Sequence, residues 1–121
     1  MSDRIPVSGY NDEALTDPAT DMREIISGEN FDGEGVVFWL RGMAIGNEHA
    51  TETAVVELAD QDEGALTAAN QRGVFICPPN ATTVFDFPAP GIKFKTNITA
   101  ATTGGTIGAY GVVAWGYKGE E

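Results

Sequence analysis

One cysteine, one histidine and seven lysines and arginines stand in a chain of 121 residues. Each shortage removes a class of chemistry. Cys77 has no partner for an internal disulfide, so the fold cannot rest on oxidation. It sits in Val74-Phe75-Ile76-Cys77, an apolar run, and reads as a small buried hydrophobe. A lone histidine and a lone cysteine cannot build a structural zinc site. His49 would have to serve as the base of any nucleophile–base pair, but Ser2, Ser8 and Ser27 all lie within the first 34 residues. No such constellation is expected, and the chain reads as not an enzyme. No apolar run reaches the ~18 residues of a membrane span, so no membrane partner is expected. The start, Met1 to Pro6, lacks the basic-then-apolar order of a signal peptide, which leads us to expect synthesis in a reducing cytoplasm.

Positive charge is the other shortage. Against 18 acids, the seven bases leave a net charge of −11. Residues 1–64 hold 15 acids and 3 bases, a balance of 15 − 3 = 12 negative charges, and residues 65–121 are close to neutral. Such a chain repels phosphate backbones, so no nucleic-acid partner is expected. The acids read first as solvated charge, and second as a segment that could dock on a basic surface.

What is present is alternation, punctuated by glycine and proline. In Ile92-Lys93-Phe94-Lys95-Thr96-Asn97-Ile98-Thr99 the apolar residues fall on every second position, the mark of a strand with one buried face. The spacing predicts further strands at Val36–Ala44, Thr51–Ala59, Gly73–Cys77, 82–87 and 106–118. In Thr51–Ala59 it turns Ala54, Val56 and Leu58 inward and Glu57 outward. Pro78-Pro79 must end one strand, since neither can donate to a ladder. Seven or eight short strands separated by Gly/Pro/Asn turns give an all-β fold, an antiparallel β-sandwich or jelly roll. Residues 1–34 are acidic and broken by Pro6, Pro18, Gly9, Gly28 and Gly33, so they read as an extended N-terminal arm, with a short strand possible within Asp21–Ser27. Residues 35–121 form the β-sandwich domain.

The last strand carries apolar residues on both parities. Ile107, Ala109, Val113, Trp115 and Tyr117 share one, and Tyr110, Val112 and Ala114 the other. One face covers the core, and the second needs another layer: a covering segment of the chain, a subunit or a ligand. If the arm and this second face meet a neighbour, the contact residues are Ile5, Tyr10, Leu15, Met22, Ile25, Ile26, Tyr110 and Val112. Trp39, Tyr110 and Tyr117 could instead serve a sugar-binding face, although packing is the simpler role for most aromatics here. Asp60-Gln61-Asp62-Glu63-Gly64 lacks the ligand spacing of a calcium loop, and no metal or cofactor is expected. Asn80-Ala81-Thr82 and Asn97-Ile98-Thr99 match the glycosylation pattern only by chance.

One layout remains: a strand ending Phe85-Asp86-Phe87, the corner Pro88-Ala89-Pro90-Gly91-Ile92, the strand Lys93-Phe94-Lys95-Thr96, a glycine turn, and the strand Tyr110-Gly111-Val112-Val113-Ala114-Trp115-Gly116-Tyr117. It resembles the C-terminal half of small virion proteins of tailed bacteriophages, in particular capsid decoration (cement) proteins with a β-sandwich or jelly-roll body and an N-terminal arm. The resemblance spans about residues 35–118 and contains no diagnostic motif. It implies a non-enzymatic protein of the virion surface, made in the host cytoplasm, that binds the major capsid protein of an assembled shell, often as a homotrimer. The alternative is a small carbohydrate-binding or adhesion module.

Overall fold

The computed structural model describes residues 4–31 and 33–121. It is all-β, with 52% of residues in strands and no α-helix among those described. Among the described residues nine strands form: β1 (Ile5–Tyr10), β2 (Arg23–Ile26), β3 (Val36–Asn47), β4 (Ala54–Ala59), β5 (Gln71–Cys77), β6 (Ala81–Asp86), β7 (Ile92–Phe94), β8 (Ile98–Thr103) and β9 (Val112–Glu120). One sheet runs β1-β9-β3-β6, with β7 also on β3, and the other runs β2-β8-β4-β5. Every pairing is antiparallel.

Apart from the short β7, the pairs nest: β1 with β9, β2 with β8, β3 with β6, β4 with β5. The chain is one long hairpin, bent at β4–β5 and wrapped so that successive pairs fall in alternate sheets. That is the jelly-roll arrangement. The core lies between the sheets. β4 turns Ala54, Val56 and Leu58 inward, as its alternation predicts. β3 buries Phe38 and Leu40, then Met43 and Ile45. The inward positions skip one residue because a bulge lies between Leu40 and Gly42, and a bulge flips the parity of the residues beyond it.

Of the expected arm, residues 1–34, the described part does not stand apart from the sandwich. β1 gives β9 its outer neighbour, and β2 gives β8 its own. Between them the backbone is tied to two later loops and to β8: Leu15 N–H donates to Ile107 O, Met22 N–H to Gly64 O, and Thr102 N–H of β8 to Thr16 O. Leu15, Met22, Ile25, Ile26 and Phe31 are buried within the chain itself. A buried side chain of this size contributes roughly 1.5–3 kcal/mol. Five of them amount to on the order of 10 kcal/mol, comparable to the whole net stability of a small domain. Composition misled because this segment's few apolar residues complete another segment's core.

The alternating run 92–99 is also not one strand. It breaks after Phe94, and the chain crosses from one sheet to the other at Lys95-Thr96-Asn97. Phe94 and Ile98 are core and Lys95 is exposed, but Asn97, expected outward, is buried. The crossing frees three backbone N–H groups from any ladder. Asp60 takes them: its carboxylate accepts from Lys95 N at 2.9 Å, Thr96 N at 2.7 Å and Asn97 N at 3.3 Å. Asp60 therefore sits buried rather than in a solvated acidic loop.

Deleting residues 1–27 should abolish the cooperative fold, seen as loss of dispersed amide resonances. A deleted chain that still folds would mean the first two strands are dispensable. Asp60→Ala should lower stability in urea by about 3 kcal/mol, because charge-assisted bonds are lost and buried donors left unpaired. A loss under about 0.5 kcal/mol, that of an ordinary surface residue, would contradict this role.

Candidate interaction surface

Two buried asparagines organise one end of the jelly roll. Asn47, in the last position of β3, donates to Glu52 O and Cys77 O, and its amide oxygen accepts from His49 N and Thr106 N. It joins two loops, 48–53 and 104–111, to the end of β5. Asn11 donates to Glu13 O and Gly108 O and accepts from Val112 N at 2.8 Å. His49 belongs to the same scaffold, with Nδ1 accepting from Thr51 N and Glu52 N. That ring is a structural acceptor, with no nucleophile among its partners.

The Asn11 network holds Tyr110 in an unusual place. Tyr110 has φ of 63°, in the left-handed region that a bulky side chain occupies at a cost of about 1–3 kcal/mol. Its N–H donates to Asn11 O at 2.7 Å. The ring is 65% exposed and lies on Tyr10, centroid to centroid 5.1 Å. The left-handed turn also takes Tyr110 out of the parity of β9.

From this pair an apolar row crosses the outer face of the larger sheet. Registry places Tyr10 beside Val113, Val113 beside Ala44, and Ala44 beside Val84. Tyr10, Val113 and Val84 are all exposed. The next row is Ser8, Trp115, Gly42 and Asp86. The Trp115 indole lies so close over Gly42 that an added Cβ would stand 2.6 Å from it. The third row is Pro6, Tyr117, Trp39 and Lys93. Here cations cover the rings: Arg4 lies 4.5 Å from the centre of Tyr117, and Lys93 5.9 Å from that of Trp39. The first row is the open one. A shallow groove beside it is lined by Ala44, Gly46, Asn80, Thr82, Tyr110 and Val113, with Glu48 as its only charged residue.

Of the expected contact residues, the structure brings Tyr10 and Tyr110 together on this surface. Ile5 is exposed at the far end of β1. Leu15, Met22, Ile25, Ile26 and Val112 are buried inside the chain and cannot meet a partner. For Val112 the reason is registry: it faces Ile45 across β3, on the core side. The open parity of β9 is Val113, Trp115 and Tyr117. Val113 and Val84 were missed as contacts. Their signal was an apolar residue at each strand's outward position, readable once the inward neighbours Val112 and Phe85 are assigned.

The opposite end of the molecule is acidic. Glu24 stands half-buried near Glu63, Glu29 and Asp62, and also near Asp12, which follows Asn11 and lines a groove with Glu24 and Tyr10. Burial first, then repulsion from these four carboxylates, raises its pKa. Asn97 links this end, donating to Asp62 and accepting from Gly28 N. Among the described residues, no three His, Cys, Asp or Glu side chains are grouped to hold a metal ion. No protein-family model matches the chain, and no curated protein matches it in sequence.

A raised carboxyl pKa means the folded chain holds the Glu24 proton more tightly than the unfolded chain does. Ionising Glu24 then costs stability as pH rises through the unfolded and on to the folded value. Glu24→Gln should raise the urea midpoint at pH 7. The advantage should shrink as pH falls through the raised folded value and be gone below about 4, the unfolded value, where wild type is protonated in both states. Identical midpoints at pH 7 would show that neither burial nor repulsion penalises the ionised Glu24.

Proposed function

We propose that this chain is a non-enzymatic structural virion protein that attaches to an assembled phage capsid, with the major capsid protein as its partner. The attachment surface is the row Tyr10, Tyr110, Val113 and Val84. The observation that carries this reading is Tyr110: an exposed aromatic ring held at positive φ by a buried asparagine network. Strain that stability alone would remove is a reason to look for a role in binding. Exposed amphipathic rings at one end of an apolar row are also of the residue type that anchors interfaces. The fold adds support by analogy alone, since jelly rolls occur in both viral capsid and lectin domains. A repeating shell would multiply contacts that are individually modest. A homotrimer, which the resemblance implies, could not use Leu15, Met22, Ile25 or Ile26, which the chain itself buries, and would have to form through the outer face of β9.

A carbohydrate-binding or adhesion role is the second reading. It is favoured by five aromatic rings, Tyr10, Tyr110, Trp115, Tyr117 and Trp39, gathered at one face of one sheet. The cations over Tyr117 and Trp39 weigh against it, because they occupy ring faces a sugar would need.

Mixing the full chain with empty shells of the parent phage's major capsid protein, followed by pelleting, tests the proposal. Wild type should saturate a fixed number of sites. Tyr110→Asn should bind at least about tenfold more weakly, as expected for loss of an anchor contributing about 1.4 kcal/mol or more. Its stability should match wild type within about 1 kcal/mol, because asparagine tolerates the left-handed region and the released strain offsets the lost Tyr10 contact. Equal shell binding by both proteins would overturn the proposal. Quenching of tryptophan fluorescence by a glycan, with no shell binding, would favour the second reading.

A further inference from the structure

We infer that the edge strand β5 pairs with the β5 of a second copy, antiparallel about a two-fold axis, to join two four-stranded sheets into one. This is independent of the capsid reading and uses a different surface.

An edge strand leaves a row of backbone donors and acceptors unpaired, and most proteins guard such rows with proline, charge or a bulge. Three of the four edges here are guarded. β1 carries Pro6, β2 is four residues long with a register shift, and β6 turns Asp86 outward ahead of Pro88. β5 has its irregularity at the start, where Gln71 and Gly73 pair with adjacent residues of β4 and Arg72 is passed over. Its guards, Arg72 with the irregularity before and Pro78-Pro79 after, lie outside the five residues Gly73 to Cys77, which pair regularly and hold neither proline nor charge. Its outward side chains there are Val74, 50% exposed, and Ile76, 57% exposed.

The occupant follows from the strand's own pattern and from charge. Centred on Phe75, an antiparallel pair sets Val74 against the partner's Ile76 and Ile76 against the partner's Val74. Gly73, the smallest residue, falls opposite Cys77. Both outward cross-strand pairs are then apolar and β-branched, the kind that stabilises a ladder. A chain of net charge −11 repels its copies. It can meet one only where acids do not face acids, and Gly73–Cys77 contains none. The two Arg72 side chains would sit six residues apart along the ladder, about 20 Å, well beyond the ~8 Å over which salt screens them. Each is already turned toward its own Asp60, at 3.7 Å.

Sedimentation of the full chain across a concentration series tests this. Wild type should shift from monomer to dimer. Val74→Lys combined with Ile76→Lys places charge on the unguarded edge and should weaken association at least 100-fold, with an unchanged far-ultraviolet spectrum. Tyr110→Asn should dimerise like wild type. Deuterium exchange on wild type needs no variant: β5 amides should exchange more slowly in the concentrated sample than in the dilute one. Wild type that stays monomeric to about 1 mM overturns the inference. So does a folded double-lysine variant that dimerises normally, or β5 exchange that does not change with concentration.

Discussion

Backbone groups that leave a ladder inside a protein must find another partner, and this fold leaves many of them at its two ends. A jelly roll sends the chain from sheet to sheet at almost every turn, so the ladders cannot follow. Four side chains take up the load. Asn11 and Asn47 serve the loops at one end, and Asp60 and Asn97 those at the other. Each spans segments far apart in sequence: Asn11 reaches Gly108 and Val112, and Asp60 reaches Lys95 to Asn97. The crossing that converts alternating residues 92–99 into two strands of different sheets depends on the Asp60 carboxylate. The position of Tyr110 depends in the same way on Asn11.

This explains what could and could not be read from the residues alone. Strand positions were legible in β3 to β6 because alternation and proline punctuation are local signals. The inward set Ala54, Val56 and Leu58 needed nothing else. Partnership across the chain was not legible. Pro6 to Tyr10 has neither a strong apolar pattern nor high β-propensity, and it becomes a strand because β9 offers it a ladder. Asp60 lies within a run that looks solvated, Asp60-Gln61-Asp62-Glu63. Nothing local distinguishes it from Asp62 and Glu63, which remain exposed. At the candidate surface, Tyr10 and Tyr110 could be named as contacts, but their meeting could not be foreseen, nor the burial of Val112. The positive φ of Tyr110 removes it from the parity of the strand it precedes, so alternation assigned Tyr110 and Val112 to one face when only the first is outward.

The nested pairing also decides which surfaces are free. Pairing the first strand with the last places β9 between β1 and β3, so its outward residues become the middle of a face instead of an edge. Val113 and Trp115 lie there without a covering layer. The smaller sheet differs. Met22 and Leu66 pack over Ala59 and Ala101 on its outer side, closing one end of it. That cover stops short of Val74 and Ile76, which leaves the exposed stripe on β5.

Charge obeys the same division. Glu24, Glu29, Asp62 and Glu63 gather toward one end, and with Asp12 these carboxylates are close enough for repulsion to act on Glu24. The first row of the larger sheet and the Gly73–Cys77 edge carry no ionisable acid. Repulsion at one end and neutrality at two others are complementary in effect. A strongly negative chain stays apart from most neighbours through its long-range field. At short range the field is screened over about 8 Å, and contact is then decided by the patch that touches. An acidic residue in either neutral patch would extend the repulsion to where contact is made. The lack of acids within these two patches is therefore what would let so negative a chain make the contacts proposed for them.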